Sequence, residues 1–188
     1  MVRFVLPAVV VVLAAGAVPA LAAGPDRAGV ERVSADLDGD GTAERVEFRS
    51  GAAEAVSVWR GTRRVWKGVP ARWNAWKVRI GDVDGDGRAE IVIGVHKATR
   101  YVPKPHNGLF VFGWDGRRAY PKWLGSSLAR PFSDFEVVDV DGDGRAEVVS
   151  RESGNDGSPS VTVYSWRGFG FAVDLVRGDA EGEGSDAR

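Results

Sequence analysis

No cysteine occurs anywhere in the 188 residues. Its absence excludes a disulfide framework, a thiolate metal site and a thiol-borne lipid anchor. Histidine is almost as scarce, with His96 and His106 the only two. Neither has a cysteine, or an Asp or Glu at ligand spacing, to make a zinc or catalytic site beside it. The strings that announce common catalysts are missing too: no GxSxG elbow, P-loop, HExxH or GxGxxG. Only one long hydrophobic run is present, from residue 4 to about residue 18, after a single positive charge at Arg3. It ends at Ala20-Leu21-Ala22, a small-x-small cleavage pattern, and predicts a signal peptide over residues 1–22. Pro7, Pro19 and the shortness of the run argue against an uncleaved anchor. No second stretch is long enough to span a bilayer, so an exported protein, periplasmic or secreted, with no transmembrane domain after cleavage is expected.

Charge is unevenly placed. With Arg3 removed, the remaining chain has 24 basic and 26 acidic residues, close to neutral. Twelve of the acids, and of the basic residues only Arg88 and Arg145, lie in three short segments, so the rest carries an excess of eight positive charges. Such a body favours an acidic partner. No nucleic-acid-binding motif accompanies it, and nucleic acid is not expected.

The three segments are copies of one nine-residue pattern: DLDGDGTAE at 36–44, DVDGDGRAE at 82–90 and DVDGDGRAE at 139–147. Carboxylates stand at positions 1, 3, 5 and 9, glycines at 4 and 6, and alanine at 8. Four carboxylates in nine residues repel one another unless a cation sits among them. Calcium suits them, because it takes six to eight oxygens in flexible geometry. Up to three ions are expected. Position 2 is apolar each time (Leu37, Val83, Val140) and predicts an anchor into the core. Segment one also fits an EF-hand, with Glu47 at position 12, but the other two have Ile93 and Ser150 there. The flanks alternate with period two and show no helical stripe, which excludes EF-hand and dockerin folds alike.

The repetition runs beyond the acids. Short β-branched or alternating runs follow each copy (45–48, 91–95, 148–150), and alternating runs precede the second and third. The lead into the first, 30–35, alternates poorly, as an end repeat often does. Each repeat then reaches a tryptophan at a glycine-containing turn: Trp59 before Gly61, Trp114 before Gly116, Trp166 before Gly168. The pattern predicts strand, acidic loop, strand and hairpin, four strands per repeat, over about 28–68, 69–123 and 124–176. An all-β fold of three four-stranded, blade-like repeats of β-propeller type is expected. From residue 177 the chain turns to Gly, Asp, Glu, Ser and Ala, and a disordered acidic tail is expected over 177–188. Arg177-Gly178-Asp179 spells an adhesion tripeptide that such a composition produces by coincidence.

The DxDGDGxxE loop, followed by a strand and repeated once per blade, resembles the FG-GAP/VCBS repeats of integrin-α-like β-propellers. The resemblance extends over nearly the whole chain to Leu175, and the chain looks like small bacterial exported members of that family. It implies calcium held by side chains at positions 1, 3, 5 and 9 and the carbonyl at position 7. Carried over, the ligands are Asp36, Asp38, Asp40, Thr42 and Glu44; Asp82, Asp84, Asp86, Arg88 and Glu90; and Asp139, Asp141, Asp143, Arg145 and Glu147. Three repeats are fewer than family propellers use to close. An open arrangement or a homo-oligomer covering the sheet edges is the consequence.

Seven tryptophans remain to be placed. Trp59, Trp114 and Trp166 recur and read as packing residues. Trp66, Trp73, Trp76 and Trp123 lie between repeats beside basic residues, where they serve packing or a sugar ring. The longest irregular segment, 97–108, is basic and proline-flanked. With Trp123, its Lys97, Arg100, Tyr101, Lys104 and His106 are the candidate partner-binding residues. These features describe an exported calcium-binding module, not an enzyme, that binds a protein or an anionic polysaccharide, its calcium structural. A calcium-dependent polysaccharide hydrolase or lyase and a purely structural envelope protein are the alternatives.

Overall fold

The computed structural model describes residues 29–125, 127–154 and 156–178. The expected signal peptide and most of the expected tail lie outside them. The chain forms three four-stranded antiparallel sheets and no α-helix among the described residues. Sheet 1 holds β1 (Val30–Ala35), β2 (Glu44–Arg49), β3 (Glu54–Arg60) and β4 (Arg63–Pro70) in that spatial order. A 3-10 turn, Ala71–Trp73, leads to sheet 2: β5 (Ala75–Gly81), β6 (Glu90–Lys97), β7 (His106–Trp114) and β8 (Ala119–Gly125). Sheet 3 is β9 (Phe132–Val138), β10 (Glu147–Ser153), β11 (Pro159–Trp166) and β12 (Phe171–Gly178). β12 runs two residues past the expected start of the tail. β1 forms in spite of its weak alternation, because it pairs with β2 over its full length, from Val30↔Arg49 to Ala35↔Glu44.

Each sheet is a meander, so the acidic loops and the hairpin turns after β3, β7 and β11 share one end. The β6–β7 segment lies at the other. Last hairpins carry a bulge in every sheet: the register breaks at Val58/Trp59, Val111/Phe112 and Val163/Tyr164. Val65, Lys122 and Asp174 are the residues left unmatched. A bulge bends the strand and re-aims the extra side chain.

Two apolar cores hold the sheets together. Val46, Phe48, Val56 and Val58 of sheet 1 meet Ile91, Ile93, Phe110 and Trp114 of sheet 2. Val92, Leu109 and Val111 of sheet 2 meet Phe135, Val148 and Tyr164 of sheet 3. β6 is buried on both faces, as a central strand should be. Gly94 within it lies beneath Trp76 and Phe135, and a Cβ there would sit 2.7 and 2.8 Å from their rings. Trp66, Trp73, Trp76 and Trp123 all pack against these two cores, with edge-on ring contacts such as Trp73–Phe110 at 5.1 Å and Trp76–Phe135 at 5.5 Å.

Two expectations fail at the ends of the stack, for one reason. Leu37 is fully buried and Val83 is 1% exposed, each in the seam with the following sheet, but Val140 is 48% exposed. Among the described residues no sheet follows the third. Trp114 is buried against sheet 1, but Trp59, with no sheet before it among the described residues, is covered by Arg45 and Arg64 at 5.0 and 5.6 Å from its ring.

Candidate metal centre

Each acidic loop is tied by its own carboxylates. Asp36 Oδ1 accepts the N–H groups of Gly39 (2.7 Å) and Asp40 (3.2 Å), and its Oδ2 accepts that of Gly41 (2.7 Å). Asp40 Oδ1 accepts the Thr42 N–H at 2.7 Å. Asp82 and Asp86 repeat this, with Arg88 donating to Asp86, and Asp139 and Asp143 do so with Arg145 except that the Asp143 N–H goes to Asp141. Positive φ at Gly39, Gly41 and their four counterparts, between 76° and 91°, lets the backbone curl around position 1. Against desolvation in the loop, these N–H groups hold the Asp36 carboxyl below its ordinary range.

Position 9 reaches back. Glu44, Glu90 and Glu147 are 0%, 2% and 5% exposed. Their Oε2 atoms accept the position-2 N–H of Leu37, Val83 and Val140 at 3.0–3.1 Å. Loops are also chained to each other. Ala89 donates its N–H to the Asp36 carbonyl (3.1 Å) and Ala146 to that of Asp82 (2.7 Å). The Arg88 side chain lies along Gly39 and that of Arg145 along Gly85. Alanine at position 8 is thus the residue through which each loop grips the one before.

Three acidic groups have oxygens close enough together to share an ion: Asp36, Asp38 and Asp40; Asp82, Asp84 and Asp86; and Asp139, Asp141 and Glu147. In the first two, the position-3 aspartate faces two ways. Arg60 donates to Asp38 Oδ2 and, at 2.7 Å, to Glu44 Oε1. Lys122 donates to Asp84 Oδ2 and, at 2.8 Å, to Glu90 Oε1. The other oxygens, Asp38 Oδ1 and Asp84 Oδ1, are buried with no hydrogen-bond partner among the described residues. A buried, unpaired carboxylate oxygen is costly unless something cationic meets it. Burial pushes the Glu90 carboxyl up to about 7, although Lys122 works against the rise. Both oxygens of Glu44 and of Glu90 thus accept hydrogen bonds, one from a backbone N–H and one from a tethered cation, and neither glutamate is in the close group of oxygens of its loop.

Loop three differs. Asp141 Oδ1 accepts the Asp143 N–H at 3.1 Å, and among the described residues no basic side chain pairs with Asp141 or Glu147. Burial raises the Glu147 carboxyl, opposed by the Val140 N–H, and Asp141, Asp143 and Asp139 raise it further.

The candidate partner residues divide. Lys97, Arg100, Tyr101, Lys104 and His106 gather at the end away from the acidic loops, with Tyr101 80% exposed. Thr99 and Val102 pin that segment by a backbone bond of 2.9 Å, and His106 Nδ1 donates to the Lys104 carbonyl at 2.9 Å. Trp123 is not among them. It packs on Phe171 at 5.3 Å between sheets 2 and 3, because β8 faces that seam. A basic cavity that sequence reasoning missed lies at the acidic end. It has a volume of about 290 Å³, between the first and second hairpin turns, and is lined by Arg60, Arg63, Arg64 and Arg117. No local pattern marks it, since Arg117 comes from a different sheet. No protein-family model matches the chain, and no curated protein matches it.

Proposed function

We propose that the chain is an exported, calcium-stabilised β-repeat module of FG-GAP/VCBS type that binds an anionic macromolecule. The observation that carries the calcium reading is the pair of orphaned buried oxygens, Asp38 Oδ1 and Asp84 Oδ1, at the position the resemblance makes a ligand. Asp36, Asp38, Asp40 and the Thr42 carbonyl would hold one ion, with Asp82, Asp84, Asp86 and the Arg88 carbonyl holding the second. Asp139, Asp141, Asp143 and the Arg145 carbonyl would hold the third. The oxygen-only donor set suits a hard cation. Bound calcium would neutralise the loops that chain the three sheets, so its binding free energy becomes folding free energy. Export is supported by the apolar run over residues 4–18 and the cleavage pattern after it.

A thermal melt tests the metal. Each ion at a hundredfold over its Kd contributes about 2.7 kcal/mol. At about 2–4 °C per kcal/mol for a chain this size, chelator should lower Tm by on the order of ten degrees or more. Calcium restores it and magnesium does not; an unchanged Tm in excess chelator removes the calcium reading.

The anionic partner is supported by the arginine cavity together with the basic 97–106 segment, at opposite ends of the sheets. Calcium-loaded protein should be retained on an immobilised acidic polysaccharide. Arg63→Ala with Arg117→Ala, or Lys97→Ala with Arg100→Ala and Lys104→Ala, should weaken retention and reduce its salt dependence. Equal elution of the wild type and both variants would dismiss the partner class.

A further inference from the structure

Two of the three acidic loops carry a built-in cation, and the third has a cavity in its place. Lys122 is the residue left unmatched by the bulge in the β7–β8 hairpin, and its ammonium bridges position 3 and position 9 of loop two. In the first repeat the corresponding bulge residue is Val65, and Arg60 at the end of the facing strand makes the same bridge. In the third repeat the bulge residue is Asp174, an acid where the second repeat has its lysine. Arg167, which follows Trp166 as Arg60 follows Trp59, does not reach the loop. It donates to Asp174 Oδ1 at 2.8 Å, and Ser165 Oγ donates to Asp174 Oδ2.

A cavity of about 380 Å³ opens there, lined by Asp141, Asp143, Glu147 and Asp174, with Val163, Trp166 and Leu175 forming apolar wall. Arg145 and Arg167 also border it, so four carboxylates face two guanidiniums. Arg167 is engaged by Asp174, and Arg145 lies back along Gly85 of loop two. Glu147 is 5% exposed, and its one hydrogen bond, at Oε2, comes from the Val140 N–H. The other oxygen corresponds to the one that Arg60 holds on Glu44 and Lys122 holds on Glu90, and among the described residues nothing holds it.

We propose that this cavity takes an alkylammonium or guanidinium group from outside the chain, seated between Asp141, Glu147 and Asp174 as Lys122 is seated between Asp84 and Glu90. Its alkyl stem lies along Trp166, Val163 and Leu175. The chemistry is that of a lysine or arginine side chain, or of a free polyamine. The site is distinct from the calcium reading, because in the first two repeats the tethered cation holds Oδ2 of the position-3 aspartate and leaves Oδ1 to the ion.

The test is a titration of calcium-saturated protein with n-butylammonium, followed by NMR at the tryptophan indole N–H signals, with Trp166→Phe fixing the assignment. Saturable movement of the Trp166 signal is expected. Asp174→Lys, which gives the third repeat the second repeat's cation, should weaken binding at least roughly tenfold. Asp174→Asn, a smaller change on an exposed edge strand, should weaken it about threefold. Spermidine and Nα-acetyl-lysine amide are then compared: the tighter of the two identifies the source, and binding of either upholds the site. No movement in wild type, or undiminished binding by Asp174→Lys, overturns the proposal. So does binding that appears only in chelator, since the amine would then merely replace calcium. Amine binding that is unaffected by chelator, in a protein whose Tm is also unaffected, upholds this site and dismisses the calcium reading instead.

Discussion

A carboxylate buried without a cation has to be held by donors, and Glu152 is held by three hydroxyls. It is 3% exposed in the seam between sheets 2 and 3. Ser150 Oγ and Tyr164 Oη donate to its Oε1 at 2.9 and 2.5 Å, and Thr162 Oγ1 donates to its Oε2 at 2.8 Å. Tyr164 Oη in turn accepts the Ala129 N–H at 3.0 Å, tying the β8–β9 connection to sheet 3. Burial and the bond to Glu152 raise the tyrosine's pKa, so the phenol stays a donor. Tyr164→Phe removes a donor to a buried acid and orphans a backbone N–H in one step. A loss of about 1–3 kcal/mol in urea unfolding is expected, with the midpoint moved and the slope kept. A variant as stable as the wild type would show that water replaces the hydroxyl without cost.

The elements themselves were legible in the sequence, and physical reasons separate what was legible from what was not. Period-two alternation and repetition marked four strands per repeat, because both are local. The acidic loops were visible for the same reason, and at position 8 Ala89 and Ala146 pack their small side chains on the two cores while their N–H groups bond the loop before. What escaped depends on contacts between distant segments. Lys122 lies 32 residues from Glu90, and only a bulge in the β7–β8 pairing aims it there. The Glu152 cluster draws on β10, β11 and the β8–β9 connection, none of which carries a polar motif of its own. Trp123 beside a lysine looked available to a ligand; the face of β8 it occupies turns it into the seam. Position in the stack also decided what sequence equivalence could not. Leu37, Val83 and Val140 match in pattern, but among the described residues only the first two have a following sheet to enter.

At the scale of the molecule, the two ends of the stack differ and one arginine ties the middle. Sheet 1 turns outward Arg45, Glu47, Arg49, Ser57 and Trp59, the face that in sheet 2 presents Ile91, Ile93 and Val95 to a neighbour. A polar outer face suits a capping repeat. Sheet 3 turns outward Val149, Val161 and Val163, with Leu175 and Val140 at 43% and 48% exposure. Between these ends the first strands β1, β5 and β9 lie side by side. Arg79 on β5 donates to Glu31 on β1 at 2.5 Å and to both oxygens of Glu136 on β9, and Lys77 donates to Asp134 and Glu136 at 2.6 and 2.7 Å. Although desolvation works the other way, Lys77 and Arg79 hold Asp134 and Glu136 below their ordinary values of 3.8 and 4.5. Depressed carboxylates give stability that is fully present above those ordinary values and lost as pH falls through the lower folded ones. Both acids are half exposed (50% and 51%), so solvent screening keeps each bridge modest, and the pH dependence is the better signature. Arg79→Met should therefore lower Tm clearly near pH 7 and progressively less as pH falls below the ordinary carboxylate values and the acids take up protons. The acidic loops lose any bound cation at low pH in both proteins, so the comparison isolates the bridge. A Tm difference that does not shrink as pH falls would mean that the arginine acts by packing its stem between β1 and β9, with its charge contributing nothing to the joining of the three sheets.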